Sequence, residues 1–248
     1  MMYSSVSVII PVYNSESSLA ELYERLDCVL ASIAGEYEII MVDDGSRDNS
    51  YREMEKLYLK GGALRIIGLE GNFGQQNAIM CGLRHATGDY IVTIDDDLQN
   101  PPDEIPKLLE GLAAGYDVVY GIPTDRKQYG LRNAGTILTD LFFTFICKKP
   151  WNVRVGSFRA MKRQIAGKII AERRHFVYIT AITLKHTRNI GNVEVLHEER
   201  KYGSSNYSFR KLIGLFCRLA VNYSRLADLL HFDDSTPQYV IRDMGELK

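Results

Sequence analysis

Several things are scarce in this 248-residue chain, and each scarcity excludes a class of protein. The four cysteines, Cys28, Cys81, Cys147 and Cys217, stand far apart with no CxxC pair. Neither a disulfide framework nor a cysteine zinc site is available, so they read as reduced core residues. The five histidines show no metal-ligand spacing. Long apolar runs are missing too. Leu141 to Cys147 and Leu212 to Cys217 stop at Lys148 and Arg218, well short of the ~20 residues that a spanning helix needs. The N-terminus lacks the basic segment, long apolar stretch and small-residue cleavage site of a signal peptide, and a cytoplasmic location is expected. Gly71 and Gly74 do not make the GxGxxG of a dinucleotide-binding dehydrogenase. Net charge is only -1, and no nucleic-acid partner is expected.

That near-neutral sum hides a polarity. Met1 to Gly121 holds 8 Lys and Arg against 20 Asp and Glu, whereas Ile122 to His231 holds 20 against 7. An acidic half followed by a basic half suits a carboxylate site for a cation beside a surface for phosphates or anionic head groups; solvated faces that merely segregate are the plainer alternative. With 46% hydrophobic and 25% charged residues the chain is globular.

Val6–Val12 is a short run rich in β-branched residues, followed by Leu19, Leu22, Tyr23, Leu26, Val29, Leu30 and Ile33 at helical spacing. The strand-then-helix pattern repeats. Strand Tyr37–Val42 precedes a helix opened by a capping box Ser50 to Glu53, and strand Leu64–Leu69 precedes a helix from about Gln75 to Ala86. Strand Tyr90–Ile94 leads to Asn100 as N-cap, Pro101 at the first helical position and a helix to about Ala114. A fifth strand covers Asp117–Tyr120. Strands alternating with single helices predict an α/β fold with a mostly parallel sheet and ligands at the carboxyl ends of its strands. After Gly121 the expectation is a loop to about Gly135, a helix Thr136–Cys147 and a strand near Val153–Ala160. Short helices around Lys162–Ala171 and Phe176–Lys185 follow, then a strand Asn189–His197, a basic loop to Asn206 and a helix from about Ser208 to Leu230. One domain over residues 1–231 is predicted, its halves meeting near residue 121, with residues 232–248 a polar, mobile tail.

The most informative string is Ile94-Asp95-Asp96-Asp97-Leu98-Gln99-Asn100-Pro101-Pro102. Three consecutive carboxylates repel one another unless a cation neutralises them. In extended chain Asp95, Asp97 and Gln99 would share a face and Asp96 the other, and three oxygen donors on one side suit Mg²⁺ or Mn²⁺. A solvated acidic turn before a helix would look similar. The other strand ends are Pro11-Val12-Tyr13-Asn14, Val42-Asp43-Asp44-Gly45-Ser46 and Asn72-Phe73-Gly74-Gln75-Gln76, all at one rim of the proposed sheet.

Together these strings resemble the family-2 glycosyltransferases of the GT-A fold, in particular the dolichyl-phosphate mannose synthase branch and its bacterial polyprenyl-phosphate relatives, over about Ser5 to Ala220. The resemblance implies a Rossmann-like GT-A sheet with acceptor-side helices behind it. It also implies a nucleotide-sugar site from Pro11, Tyr13, Glu16, Asp44, Gln75, Asp95 and Asp96, with the Asp44 carboxylate accepting from the base. Asp95, Asp97 and Gln99 would be the metal and diphosphate site, the DXD motif, with Mg²⁺ or Mn²⁺ bound. Asp97, Arg126, Arg132 and Arg200 would be catalytic, the arginines near the phosphates. Arg200 matches the arginine of an R-x-x-G-x-S-K segment, although Asn206 stands where the family usually has lysine. Gly156-Ser157-Phe158-Arg159 resembles a G-x-F-R segment beneath the acceptor site; Phe158 as core and Arg159 in a structural ion pair is the alternative.

The expected activity is inverting transfer of a sugar from a nucleotide sugar, a UDP-sugar before GDP or dTDP, to a polyprenyl or dolichyl phosphate. Such an acceptor is already anionic and needs no base, so positioning and charge neutralisation suffice. Transfer to a glycan hydroxyl would need a carboxylate base, for which Asp140, Glu172, Glu194, Glu198 and Glu199 are the main acids of the second half. A scaffold that binds sugar nucleotides without turnover is the third possibility. A lipid acceptor requires a membrane surface. Phe209, Leu212, Ile213, Phe216, Leu219 and Ala220, with Arg210, Lys211, Arg218 and Arg225, suit a helix lying in the interface at the inner face of the membrane. Leu141, Phe142, Phe145 and Ile146, ending in Lys148, Lys149 and Trp151, could flank a lipid's route to the site. Core packing would give both stripes the same periodicity.

Overall fold

In the computed structural model, residues 2–124, 143–198, 209–223 and 237–245 are described. The first half alternates as its periodicity predicts: β1 (Tyr3–Val12), α1 (Leu19–Ile33), β2 (Ala34–Asp43), α2 (Ser50–Leu59), β3 (Leu64–Leu69), α3 (Gln75–His85) and β4 (Tyr90–Thr93). A single 3-10 turn, Pro102–Glu104, then runs into α4 (Ile105–Ala113), and β5 (Val118–Pro123) follows. The helix therefore starts later than Asn100 and Pro101 suggest, because Pro101 is extended and the first turn is tightened by two prolines and an acidic pair. The capping box at Ser50 does not form either. Asn49 is the N-cap, and the Ser50 hydroxyl turns away to donate to Asp48 Oδ1 at 2.6 Å while accepting from Ser15 N–H at 2.7 Å.

The second half departs further. The strand expected near Val153–Ala160 is instead β6 (Arg159–Lys162), followed by α5 (Arg163–Ile170), α6 (Ile179–His186), β7 (Ile190–Val195) and α7 (Phe209–Tyr223). Of the helix expected over Thr136–Cys147, only 143–147 fall among the described residues; 143–145 are helical, and the chain turns at 146 and 147. The loop expected after Gly121 begins later, since β5 runs on to Pro123, and its residues from 125, like the basic loop at 199–206, lie outside the described residues. The tail is the plainest correction. Residues expected to be loose form β8 (Ile241–Gly245), paired antiparallel to β3. Gln238 fixes its approach, accepting from Arg84 at 2.6 Å and donating to the Glu172 and Arg174 carbonyls at 3.1 and 2.7 Å. A short polar edge strand with one apolar face gives too weak a pattern to read locally.

The eight strands lie in the order β7-β5-β6-β4-β1-β2-β3-β8. The pairs β1–β2, β1–β4, β2–β3 and β5–β7 are parallel, whereas β6 is antiparallel to both β4 and β5. Alternate residues serve opposite faces, as the pleat requires. Val8, Ile10, Ile39 and Met41 pack with α1, α2 and α4, while Ile9, Ile40, Val42 and Ile67 pack with α3, α5 and α6. Both faces are buried, so the strands read as continuous apolar runs. The cysteine expectation fails in part: Cys81 is buried, but Cys28 and Cys217 are exposed.

Candidate active site

β4 ends at Thr93, so Asp95 to Gln99 is a turn rather than extended chain. Leu98 makes it turn. Its side chain is fully buried while its backbone sits at φ 60°, a conformation that a non-glycine residue holds only under constraint. The two-residue alternation expected for the carboxylates therefore does not apply. Asp95, Asp96, Asp97 and Gln99 all line one cleft of about 360 Å³, shared with Gln75, Gln76, Val155, Gly156, Ser157, Arg159, Tyr178 and Thr180.

Within the turn the three carboxylates are held differently. Asp95 Oδ1 accepts from Gln75 Nε2 at 2.6 Å, and its Oδ2 accepts from the Ser157 hydroxyl. Gln75, expected to touch the nucleotide sugar, thus orients a carboxylate. Asp97 Oδ1 accepts from Gln99 N–H at 3.2 Å. Asp96 braces the loop after β1: its Oδ2 accepts from Tyr13 N–H at 3.0 Å and from Ser15 Oγ at 2.6 Å, and its carbonyl accepts from Ser18 Oγ at 2.6 Å. Burial pushes its carboxyl up to about 6, against the lowering effect of Ser15 and Tyr13.

The nucleotide-side residues separate. Pro11 is buried inside β1, opposite Val42. Tyr13 is exposed at the strand end. Glu16 is exposed and accepts from Asn49 N–H at 2.8 Å. Asp44 is buried, and its two oxygens accept from Phe73 N–H at 2.7 Å and Gly74 N–H at 2.9 Å. The carboxylate expected to accept from a base thus also clamps the end of β2 to the loop before α3. Burial drives its carboxyl up to about 6. The clamp needs two glycines. Gly45 has φ +69°, and a Cβ there would lie 2.6 Å from Gly71 C; Gly74 has φ +91°.

The opposite wall was not foreseen in detail. Arg159 is 1% exposed, and among the described residues it has no carboxylate partner. Its Nε donates to Thr93 Oγ1 and its Nη1 to Thr180 Oγ1, both at 3.1 Å, and its guanidinium lies 5.9 Å from the centre of the Tyr120 ring. Among the described residues the structural ion pair considered for it is absent, while Phe158 is core as expected. Thr93 also donates to the Ser157 carbonyl at 2.7 Å, so Arg159, Thr93, Ser157 and Asp95 form one connected chain. Gln76 accepts from Ile179 N–H at 3.0 Å, which ties α6 to the same cleft. Ser157, Tyr178 and Thr180 carry no charge and sit in no recurring strand-end pattern; only their place beside β6 brings them in. Arg126, Arg132 and Arg200 lie outside the described residues.

A profile described as Glycosyl transferase family 2 matches residues 7–170. The chain belongs to glycosyl transferase family 2. Among relatives of this family-2 chain, an undecaprenyl-phosphate 4-deoxy-4-formamido-L-arabinose transferase of Klebsiella pneumoniae (strain 342) is 39% identical over 213 residues, covering 85% of this chain and 64% of that one. The protein of the same description from Pseudomonas fluorescens (strain SBW25) is 38% identical over 245 residues, covering 97% and 68%. The chain thus spans about two thirds of the length of these relatives. Glucosyl-3-phosphoglycerate synthase from Mycobacterium tuberculosis, in a crystal structure with Mn²⁺, UDP-glucose and phosphoglyceric acid, matches with a TM-score of 0.63 at 16% identity, over 89% of this chain and 78% of that one. The family-2 fold is the GT-A fold expected from the strand-end strings.

Among the described residues no three His, Cys, Asp or Glu side chains are gathered around a metal position. The oxygen donors along the acidic side of the cleft are the carboxylates of Asp95, Asp96 and Asp97 and the amides of Gln75, Gln76 and Gln99. This fits Mg²⁺ or Mn²⁺ of the kind held by one or two carboxylates with substrate phosphates completing the shell.

Proposed function

We propose that this family-2 protein transfers a sugar from a nucleoside-diphosphate sugar, with UDP-sugars first in line, to a polyprenyl phosphate, with inversion at the anomeric carbon. One observation carries the choice of acceptor. Among the described residues the cleft's carboxylates all come from the Asp95–Asp97 turn, while the facing wall of Val155, Gly156, Ser157, Arg159, Tyr178 and Thr180 contains none. A sugar or glycan hydroxyl would have to lose a proton to a carboxylate on that wall. Of the acids considered for the task, Glu172 is paired with Lys185 at 3.2 Å and Arg174 at 3.6 Å, and Glu198 lies 3.6 Å from Arg25. Neither of these, nor Glu194, lines the cleft; Asp140 and Glu199 lie outside the described residues. A phosphate acceptor needs no such base, and a buried guanidinium on its side of the cleft favours an anion. The names of the curated relatives point the same way.

In this reading Asp95, Asp97 and Gln99 would hold Mg²⁺ or Mn²⁺, which would supply charge neutralisation for a departing diphosphate. Gln75 and Ser157 keep Asp95 aimed, and Asp96 and Asp44 hold the loops that receive the nucleotide, with Tyr13 and Glu16 at its edge. Arg126, Arg132 and Arg200 supply cations to the phosphates. The protein works at the inner face of a membrane, on its cytoplasmic side. Among the described residues no helix is long and apolar enough to cross a membrane, and Leu219 of α7, expected on an interfacial stripe, is buried in the core.

The test is release of nucleoside diphosphate from UDP-sugars with Mn²⁺, with and without a polyprenyl phosphate. Release and glycolipid formation that require the lipid phosphate are expected. Equal release with a glycan acceptor alone would overturn the acceptor, and binding without release would leave a scaffold.

A further inference from the structure

The turn from Cys147 to Val153 holds the chain's single tryptophan out in solvent. Trp151 is 88% exposed, and close to it in sequence Phe145 is 74% and Ile146 45% exposed. This is a constructed turn rather than a loose one. Lys149, counted in the sequence reading among its flanking cations, is buried; its N–H donates to the Phe143 carbonyl at 2.8 Å, and its Nζ donates to the carbonyls of Val153 at 2.5 Å and Pro150 at 3.3 Å. Val153 N–H closes the turn on Pro150 at 3.1 Å, and Arg188 Nη2 donates to the Cys147 carbonyl at 3.0 Å. Phe143 and Val153 anchor both ends in the core. Sinking a lysine ammonium to tie two carbonyls is costly, and the segment so fixed presents three large apolar side chains to water.

We propose that this turn docks on a lipid bilayer, with Trp151 at head-group depth and Phe145 and Ile146 beside it at the acyl boundary. The inference rests on the lipid-phosphate reading above and names where that lipid surface meets the protein. Indole has an apolar body and one N–H donor, which suits a boundary that is wet on one side. A turn whose backbone is already fixed loses little further freedom on docking. The exposed Lys148, Arg154 and Arg188 put positive charge around the turn, complementary to anionic head groups. The cleft is close by: Val155, part of its wall, follows Trp151 by four residues, which places their backbones within about 14 Å. A tryptophan at head-group depth thus keeps the cleft at the level where a lipid phosphate lies.

Because Trp151 is the only tryptophan, its emission reports this turn alone. With vesicles of phosphatidylcholine and phosphatidylglycerol, the full chain's emission moves to shorter wavelength and is quenched by lipids brominated in the upper acyl chain. Trp151→Ala weakens vesicle binding by about tenfold, while transfer to a short, water-soluble isoprenyl phosphate stays at the wild-type rate. An emission unmoved by vesicles overturns the proposal, whether or not the protein sediments with them. So does a shift that appears without lipid as protein concentration rises, which would assign the turn to a second copy of the chain. If the wild type fails to use the short isoprenyl phosphate while the emission shifts on vesicles, the acceptor reading falls and the docking surface stands.

Discussion

The two walls of the cleft are built by different means. The wall from the first half is acidic and sits at the ends of parallel strands, where its carboxylates are steadied by neighbours from other loops: Asp95 by Gln75 at the start of α3, Asp96 by the loop after β1. The facing wall comes from an antiparallel strand inserted between β4 and β5, and its groups are hydroxyls and one buried guanidinium. One wall is suited to hold a cation and the other an anion. The two meet at the Ser157–Asp95 hydrogen bond.

The comparison breaks most sharply at the acidic wall. Asp97→Ala is expected to lower transfer by roughly a hundredfold or more, since a lost ligand forfeits charge neutralisation of the leaving diphosphate. Its melting temperature should stay near wild type without metal, and excess EDTA should bring the wild type down to the same rate. Full turnover in EDTA would refute the cation's role.

On the other wall the effect is smaller. Arg159→Met keeps much of the side-chain volume and removes a buried charge that has no carboxylate partner among the described residues, so stability should hold or rise slightly. Loss of its charge-assisted hydrogen bonding to an anion should cut kcat/KM by roughly tenfold. A collapse in stability with unchanged kinetics in the folded fraction would make Arg159 a structural strut only. Ser157→Ala, which unties the walls, removes one hydrogen bond to Asp95 of about 1 kcal/mol. It should raise the Mn²⁺ concentration needed for half-maximal activity several-fold and leave the saturated rate close to wild type, and an unchanged metal requirement would show that the tie is idle.

The smallest effect is a pH slope in the metal-free protein. The Asp44 carboxyl is raised by burial to about 6, above its ordinary unfolded value, so the native state holds a proton that the unfolded state has already released. Its contribution to stability is present in full below the unfolded value of about 3.9 and is lost as pH rises through about 6. In Asp44→Asn that component of the slope should vanish, although the variant loses about 1 kcal/mol overall because an amide cannot accept from both Phe73 and Gly74 with both of its ends. Denaturant midpoints at pH 4.5, 5.5 and 7 for both proteins check the sign; parallel curves would put the titration elsewhere.

The same contrast explains what could be read from the chain. In the first half each strand is followed at once by its helix and its polar loop, so periodicity placed the elements and the strand-end strings placed Asp95, Asp97 and Gln99 together. Even there the details escaped. The buried Leu98 with its positive φ turns what looks like alternating chain into a bend, and Asp44 spends its oxygens on two backbone amides that no spacing reveals. In the second half β6 is four residues long and antiparallel, and its neighbours in the sheet are separated from it by more than thirty residues along the chain. The roles of Ser157 and Thr180 depend on that long-range insertion, not on any local pattern. β8 escaped for a related reason, being a short polar strand whose partner, β3, lies far back in the sequence.

β8 also has a consequence for how this sheet breathes. Along β3, alternate amides point toward β2 and toward β8. The β2 side is sealed by the continuous pairing of Ile39 to Asp43, whereas β8 is short, mostly exposed and carries a register shift between Gly68 and Leu69. Lifting β8 alone would uncover one set of β3 amides and leave the other bonded. In amide hydrogen exchange a single strand should therefore show two populations, one exchanging through local detachment of the C-terminal strand and the other only when the sheet itself opens.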